Sequence, residues 1–231
     1  MNPCLVCGSG PSLDTDLVMA EGLPIAAIST AIGLFPEPTY AIMLDCPIPR
    51  PHPRGHGVDI EKKLMNPKVT SVTNDSYKSR FEKYPNAVSF PIYTVKRLDA
   101  QRVIRRRRLP IPNYKSTDRT PFNDGDAVAW LINRTMPAAV QWLAKTYDCL
   151  IFCGVDLADT ATSAGGINKG HLNSRKKGLI QEACVLAGLH TTAAELGHCW
   201  LSWTPDPSPI NTYMDRYDPG RFSWNATKSY P

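Results

Sequence analysis

The sequence predicts an α/β protein with a Rossmann-like, doubly wound and mostly parallel sheet. Three short apolar runs lie within the first 45 residues, and helical or turn-like segments separate them. Continuous apolar runs of this length are typical of parallel strands that are buried on both faces. A further run ends in Gly154, Val155 and Asp156 after a segment with helical periodicity. Alternating strands and helices favour a parallel sheet that is covered by helices.

Strand-like and helical segments alternate in the first 45 residues. Strands are expected at residues 4–7, 24–30, 40–44, 149–156 and 189–194, and weakly alternating helical and strand fragments are expected through 69–73 and 87–93. Helices are expected at residues 17–23, 31–35, 127–145 and 175–188. Four prolines and two histidines between residues 47 and 59 predict a loop or lid. We expect one catalytic domain over residues 1–204 and an irregular C-terminal tail over residues 205–231.

The composition is that of a soluble globular protein, with 42% hydrophobic and 20% charged residues among 231. No apolar run is long enough to span a bilayer and no leader precedes the first strand, so we expect a cytoplasmic protein. The seven cysteines, an odd number, are expected to be free thiols in a reducing compartment. Cys4 and Cys7 form a C-x-x-C, but on a strand they point to opposite faces, which disfavours zinc or redox chemistry there.

The positive charge of the chain is concentrated in one segment. Residues 96–119 hold nine Lys or Arg and two acids, a net charge of 9 − 2 = +7 within a total of +5, so the remainder sums to 5 − 7 = −2. We interpret residues 96–120 as a basic insertion, which is either a solvated loop or a surface that contacts a polyanion. The run of four arginines is the predicted nucleic-acid contact: Arg105, Arg106, Arg107 and Arg108.

The first strand leads into a glycine-rich turn that is typical of phosphate-binding loops. Gly8 and Gly10 allow the backbone to approach a ligand closely. Ser12 or Asp14 is the expected N-cap of the next helix, whose first N–H groups would then point at an anion. Ligands of open α/β sheets bind at the carboxyl ends of the strands, where this loop lies.

Three carboxylate positions near predicted strand ends are candidates for binding a ligand or Mg²⁺. Asp45 and Asp156 each follow a strand and are the better candidates. The run 14–16 is an Asp-x-Asp, which many nucleotide-sugar enzymes use to hold a divalent cation. Because the helix dipole favours acids in a first turn, we interpret that run as a capping pattern. The sequence is compatible with Mg²⁺ but requires no metal.

Four motifs, taken in their order, give the chain a resemblance to a known group of enzymes. They are the Leu-Val-Cys-Gly-Ser-Gly-Pro-Ser-Leu run at 5–13, the strand that ends at Asp45, the Gly-Val-Asp at 154–156 and the Gly-His pair at 170–171. This order resembles that of the bacterial sialyltransferases of the Campylobacter lipooligosaccharide type. It is also similar to that of the flagellin motility-associated factors and the archaeal 6-hydroxymethylpterin diphosphokinases. The similarity covers roughly residues 4–200.

The resemblance implies a role for several residues of this chain. The phosphate-binding loop would comprise four of them: Gly8, Ser9, Gly10 and Ser12. Ser9 stands where the sialyltransferases have asparagine. Asn133 and Thr135 correspond to the nucleotide-binding helix start, and His171 corresponds to the catalytic base. The pair of tyrosines that protects the leaving phosphate in that family has no counterpart that we can assign.

These residues suit the transfer of a sugar from a nucleotide to a hydroxyl group. A histidine with an ordinary pKa of about 6.5 can take the proton of the attacking hydroxyl. Lys169, Arg175 and Lys176 are the cations closest in sequence that could stabilise the departing phosphate. We therefore predict a nucleotide-sugar-dependent glycosyltransferase with His171 and Asp156 as catalytic residues and Lys169 as a phosphate contact. The basic insertion suggests that the acceptor is a hydroxymethylated base in DNA, as in phage modification systems.

Two alternatives remain open at the level of sequence. One is an Mg²⁺-dependent diphosphokinase that transfers diphosphate from ATP to a pterin-like alcohol, the other chemistry in the resembling group. The second is a nucleotide-binding or DNA-binding module without catalytic activity, in which His171 has no chemical role.

Overall fold

The structure is a computed structural model that describes residues 1–44, 56–94, 122, 127–132, 134–157 and 172–219. Several sequence predictions lie outside these residues. Among them are the basic insertion at 96–120, most of the predicted loop at 47–59 and the last part of the tail, from residue 220.

Ten strands are present in the described residues. They are β1 (Pro3–Cys7), β2 (Ile25–Ile28), β3 (Tyr40–Ile42), β4 (Thr70–Asn74), β5 (Ala87–Phe90), β6 (Ile92–Thr94), β7 (Val128–Trp130), β8 (Cys149–Cys153), β9 (Cys199–Ser202) and β10 (Asp215–Arg216). Eight of them form one open sheet in the order β10-β9-β8-β1-β2-β3-β4-β5, and β6 pairs with β7 separately. All pairs are parallel. The predicted α/β class with a mostly parallel sheet is thus confirmed.

Helices connect the strands on both sides of the sheet. The α-helices are α1 (Thr15–Ala20), α2 (His56–Leu64), α3 (Lys78–Phe81), α4 (Thr135–Leu143) and α5 (Leu172–Glu195). Short 3-10 helices occupy Ser29–Leu34, Asp75–Tyr77 and Pro209–Thr212. No helix in the described part of the chain has both the length and the apolar composition needed to cross a bilayer.

Two hydrophobic cores lie on the two faces of the sheet. Val6 and Phe152 point to the face that α4 and α5 cover, and they pack with buried residues of those helices. Leu5 and Ile151 point to the opposite face, where α1, α2 and the first 3-10 helix pack. Consecutive strand residues are therefore buried on alternate faces, which explains why the strands are continuous apolar runs rather than alternating ones.

One region predicted as a single helix contains a strand as well. Residues 128–130 form β7, and the helix begins only at Thr135. The buried Gln141 side chain joins the two elements, because it accepts from the Ala129 N–H at 3.0 Å and donates to the Ala129 carbonyl at 3.0 Å. Strand pairing with β6 at this position overrides the helical spacing of the sequence.

The last predicted strand, at residues 189–194, was wrong because α5 continues through it to Glu195. Leu186, Leu189 and Ala193 extend the buried stripe of this helix at helical spacing. The sequence reading also missed β9. Residues 56–59, predicted as part of a loop, open α2, and part of the predicted irregular tail forms β10 at the sheet edge.

Candidate functional site

The centre of the sheet contains a topological switch point between β1 and β8. From β1 the chain proceeds outwards through β2 to β5 on one side, while β8, β9 and β10 extend on the other side. The connection after β1 runs through α1 on one face, and the connection after β8 runs through α5 on the opposite face. Because the two connections diverge, the carboxyl ends of β1 and β8 form the edge at which such sheets bind ligands.

The glycine-rich loop after β1 packs directly against the segment after β8. The Gly8 N–H donates to the Cys153 carbonyl at 2.9 Å, and the Gly10 N–H donates to the Gly154 carbonyl at 2.7 Å. A Cβ at Gly8 would lie 2.7 Å from the Gly154 oxygen. A Cβ at Gly10 would lie 1.8 Å from Oδ2 of Asp156 and 2.4 Å from the Gly154 oxygen. These glycines therefore allow the loop to pack closely against the protein's own segment after β8.

Asp156 holds the other end of this loop. Its Oδ2 accepts from the Ser12 N–H at 3.3 Å, and its backbone carbonyl accepts from the Ser208 hydroxyl at 3.1 Å. The Leu13 N–H donates to the Gly10 carbonyl at 3.1 Å. In the loop that was expected to bind a phosphate, acceptors within the protein thus engage four N–H groups, those of Gly8, Gly10, Ser12 and Leu13, and Asp156 acts as a positioning residue for the loop.

Asp14, one of the two expected N-caps, caps α1. Its Oδ1 accepts from the N–H groups of Asp16 and Leu17, at 3.1 Å each. These two N–H groups are therefore satisfied within the helix start, contrary to the expectation that they point at an anion. The arrangement agrees with the capping interpretation of residues 14–16. Over the described residues, no group of three or more His, Cys, Asp and Glu side chains is placed to hold a metal ion.

A row of four hydroxyl groups extends along the same edge, from β1 through β2 to α4. Thr30 donates through Oγ1 to Oγ of Ser9 at 2.7 Å. Ser29 donates through Oγ to Oγ1 of Thr135 at 3.2 Å. Ser29 and Thr30 are adjacent in the chain and directly follow β2, so the two hydrogen-bonded pairs meet at the end of this strand. We call these four residues the hydroxyl row.

The N-terminus of α4 meets one end of the hydroxyl row. Thr135 is the first residue of this helix, and Arg134 is its N-cap without a side-chain capping bond. Pro137 in the first turn has no N–H to satisfy. The N–H groups of Thr135 and Met136 are among the first four of the helix, which have no carbonyl acceptor within it. The α4 end of the hydroxyl row thus combines hydroxyl groups, helix N–H groups without a side-chain cap and an arginine.

A cavity of about 330 Å³ lies on the α1 side of the loop. Its walls come from the glycine-rich loop, α1 and the ends of β8 to β10: Ser12, Leu13, Asp14, Leu17, Val18, Cys153, Gly154, Trp203, Pro205 and Arg216. The Ser12 hydroxyl is buried and has no hydrogen-bond partner in the described region. Since the Ser12 N–H is bound by Asp156, the cavity adjoins the switch-point edge.

The structure brings together six of the predicted site residues at this edge, namely Gly8, Ser9, Gly10, Ser12, Thr135 and Asp156. The other predicted site residues lie outside the described part of the chain: Asp45, Arg105, Arg106, Arg107, Arg108, Asn133, Lys169 and His171. The sequence reading missed Ser29, Thr30 and Arg134. The signal for the first two was their place directly after a buried strand, where side chains join the ligand-binding edge.

The chain was compared with protein-family models, with curated proteins and with solved structures, and none of the three comparisons finds a match.

Proposed function

We propose that the protein is a glycosyltransferase that uses a nucleotide-sugar donor. The observation that carries this proposal is the arrangement at the switch point, where the hydroxyl row meets the uncapped N-terminus of α4. Hydroxyl groups, helix N–H groups and an arginine are the donors that bind phosphate oxygens in proteins. We propose that the donor diphosphate or monophosphate binds here rather than on the glycine-rich loop, where the N–H groups of Gly10 and Ser12 are engaged with Gly154 and Asp156.

The position of Arg134 supports an anion at this place. A helix dipole makes a cation at the N-terminus unfavourable, and Asp, Asn, Ser or Thr is the usual N-cap. Arg134 is nevertheless the N-cap of α4, and it is half-buried. A bound phosphate would reverse this penalty, because it would interact favourably with both the guanidinium and the dipole.

The backbone of Ser29 supports the same location. Its φ of 53° lies in the left-handed region, which costs a residue other than glycine about 1 to 2 kcal/mol. Strain of this kind is concentrated at sites where side-chain position matters for binding. Here the strained residue presents its hydroxyl to Thr135 in the row.

In the proposed reaction the acceptor oxygen attacks the anomeric carbon of the donor sugar. The bond from that carbon to the acceptor oxygen forms while its bond to the donor phosphate breaks, and the phosphate leaves with the electron pair. The acceptor proton passes to His171, which the sequence resemblance identifies as the base and which directly precedes α5 in the chain. The hydroxyl row and Arg134 stabilise the charge on the departing phosphate.

The narrower proposal for the acceptor, a hydroxymethylated base in DNA, rests on the basic segment alone. It predicts that transfer to duplex DNA falls steeply as salt rises. Replacing Arg105 to Arg108 by glutamine should weaken DNA binding and leave donor hydrolysis intact. Transfer that is insensitive to salt would contradict a DNA acceptor without affecting the donor site.

The donor site is tested by a thermal-shift screen with CMP, UDP, GDP and ATP. A ligand at 100 times its Kd stabilises the folded state by about 2.7 kcal/mol, which is easily measured. Thr135→Val and Ser29→Ala should abolish the shift that the correct nucleotide produces. Thr191→Val, at an exposed position near the far end of α5, is the matched control and should keep it. If none of the four nucleotides raises the melting temperature, the proposed donor site is wrong.

The chemistry is tested separately with His171→Ala. We expect the nucleotide-dependent shift to persist while release of nucleotide from its sugar conjugate falls by about 10²- to 10⁴-fold. Unchanged turnover would remove the base assignment. Mg²⁺-dependent release of AMP from ATP would instead identify the protein as a diphosphokinase.

A further inference from the structure

Four of the cysteines are arranged as two facing pairs in the central sheet. Cys149 and Cys199 are register partners at the first residues of β8 and β9. Cys7 and Cys153 are register partners at the last residues of β1 and β8. Cys7, Cys149 and Cys153 belong to the hydrophobic cluster on the face that α1 and α2 cover, and Cys199 packs against that cluster. All four are free thiols.

The pairing geometry allows a disulfide in either pair. Neighbouring strands lie about 4.8 Å apart, and register partners in a parallel pair point to the same face. A disulfide requires Cα atoms about 4.4 to 6.8 Å apart, so no strand has to move to satisfy this distance. The Cys149 and Cys199 side chains therefore lie on the same face of the sheet, opposite each other in the register.

Accessibility distinguishes the two pairs. Cys7 and Cys153 are both buried, with relative exposures of 0% and 2%, and Cys149 is buried as well, at 0%. Cys199 is only half-buried and begins β9 at the amino edge of the sheet. An oxidant can therefore reach Cys199 from solvent, while the geometrically equivalent pair at the other end of β8 is closed off.

The pKa values of the thiols also indicate that Cys199 is more reactive than Cys7. The hydrogen bond from Cys149 lowers the pKa of Cys199 to about 7, although partial burial and the carboxylates of Asp215 and Asp148 oppose its ionisation. Burial instead raises the pKa of Cys7 well above the ordinary thiol value. Since the thiolate is the reactive form, Cys199 is the nucleophile and Cys149 the neighbouring thiol that supports it.

We propose that Cys149 and Cys199 form a redox-active dithiol, which a hydroperoxide oxidises to an intramolecular disulfide. The Cys199 thiolate attacks one peroxide oxygen, the O–O bond breaks, and Cys199 becomes a sulfenic acid as the other oxygen leaves as water after protonation. The Cys149 sulfur then attacks the Cys199 sulfur, forms the S–S bond and releases the second oxygen as water. Both sulfurs are oxidised by one electron each, and hydrogen peroxide supplies both oxidising equivalents.

This site lies at the opposite end of the strands from the candidate functional site. Cys149 and Cys199 begin their strands at the amino edge, whereas the hydroxyl row and Asp156 follow strand ends at the carboxyl edge. The two proposals are therefore independent. Replacing either cysteine should leave the nucleotide-dependent thermal shift unchanged.

The test exposes the folded, reduced protein to stoichiometric hydrogen peroxide and maps thiols by non-reducing peptide mass spectrometry. We expect one linked peptide pair, Cys149 with Cys199, while Cys7 and Cys153 remain reduced. In Cys149→Ser, a dimedone label should trap the sulfenic acid at Cys199. In Cys199→Ser, oxidation at Cys149 should fall at least tenfold.

Cys184 provides an internal control, because it is a half-buried thiol on α5 whose pKa is raised by burial. Oxidation of Cys184 or of the Cys7–Cys153 pair at a rate equal to that of Cys199 would overturn the proposal. So would the absence of any linked peptide in the wild-type protein. The mapping is made on wild-type protein, so it does not depend on the folding of any variant.

Discussion

Replacing Gly10 by alanine tests whether the glycine-rich loop is held by the protein's own segment after β8. The new Cβ would lie 1.8 Å from Oδ2 of Asp156 and 2.4 Å from the Gly154 oxygen. The carboxylate can rotate away, but the Gly154 carbonyl is backbone and also accepts the Gly10 N–H at 2.7 Å. The loop must therefore shift, and the strained packing and weakened hydrogen bond should together cost about 2 to 4 kcal/mol.

For a chain of this size that loss corresponds to a melting temperature lower by about 4 to 16 °C. Thermal denaturation followed by circular dichroism measures it, with Gly33→Ala as the control. A Cβ at Gly33 would meet only Cγ1 of Ile60, at 3.8 Å, so that variant should keep its stability. Adding Asp156→Ser to Gly10→Ala should not restore the loss, because the backbone contact with Gly154 remains and the acceptor of the Ser12 N–H is removed. A Gly10→Ala protein as stable as wild type would refute the packing described for this loop.

Three further predictions concern stability. Gln141→Leu should lower the free energy of unfolding by about 2 to 5 kcal/mol, because the Ala129 N–H and the carbonyls of Ala129 and Pro137 lose their buried hydrogen-bond partner. Urea denaturation measures this loss, with Gln181→Leu on α5 as the control. Asp14→Ala should lower stability by about 1 kcal/mol through loss of the α1 cap, measured by the same method, and an unchanged midpoint would contradict the capping role. Burial lowers the pKa of His190, which Asp215 opposes, so the folded state binds this proton less readily than the unfolded state. The contribution of neutral His190 to the free energy of unfolding should therefore be fully present above about pH 6.5 and decrease as the pH falls below that value. Denaturation of the wild-type protein and of His190→Phe at pH 7 and pH 5 measures this, and the variant should show a smaller dependence on pH.

The candidate site shows how far local sequence signals reach. Asp14 was one of two expected caps and caps α1. The periodicity predicted a helix from residue 127, whereas α4 begins at Thr135, which only the resemblance had placed near a helix start. The capping signal of Asp14 is local, since a cap and its helix lie within a few residues. The hydroxyl contact of Ser9 with Thr30 joins residues 21 positions apart, and that of Ser29 with Thr135 joins residues 106 positions apart. No local sequence pattern predicts these contacts.

The sequence by itself determined the class of the fold and the strands at its centre. The runs that form β1, β2, β3 and β8 are apolar at consecutive positions, because residues on both faces of a covered parallel sheet are buried. It also determined that a glycine-rich turn follows β1.

Only the tertiary structure decided what that turn contacts and where several elements end. Short apolar runs such as 128–130 and 189–194 fit either a strand or a helix, and the choice depends on pairing partners elsewhere in the chain. Gly8 and Gly10 suggested a ligand, whereas their close neighbours are the backbone at Gly154 and the carboxylate of Asp156, about 145 residues later. The switch point exists only once β8 pairs beside β1, because it is a property of strand order.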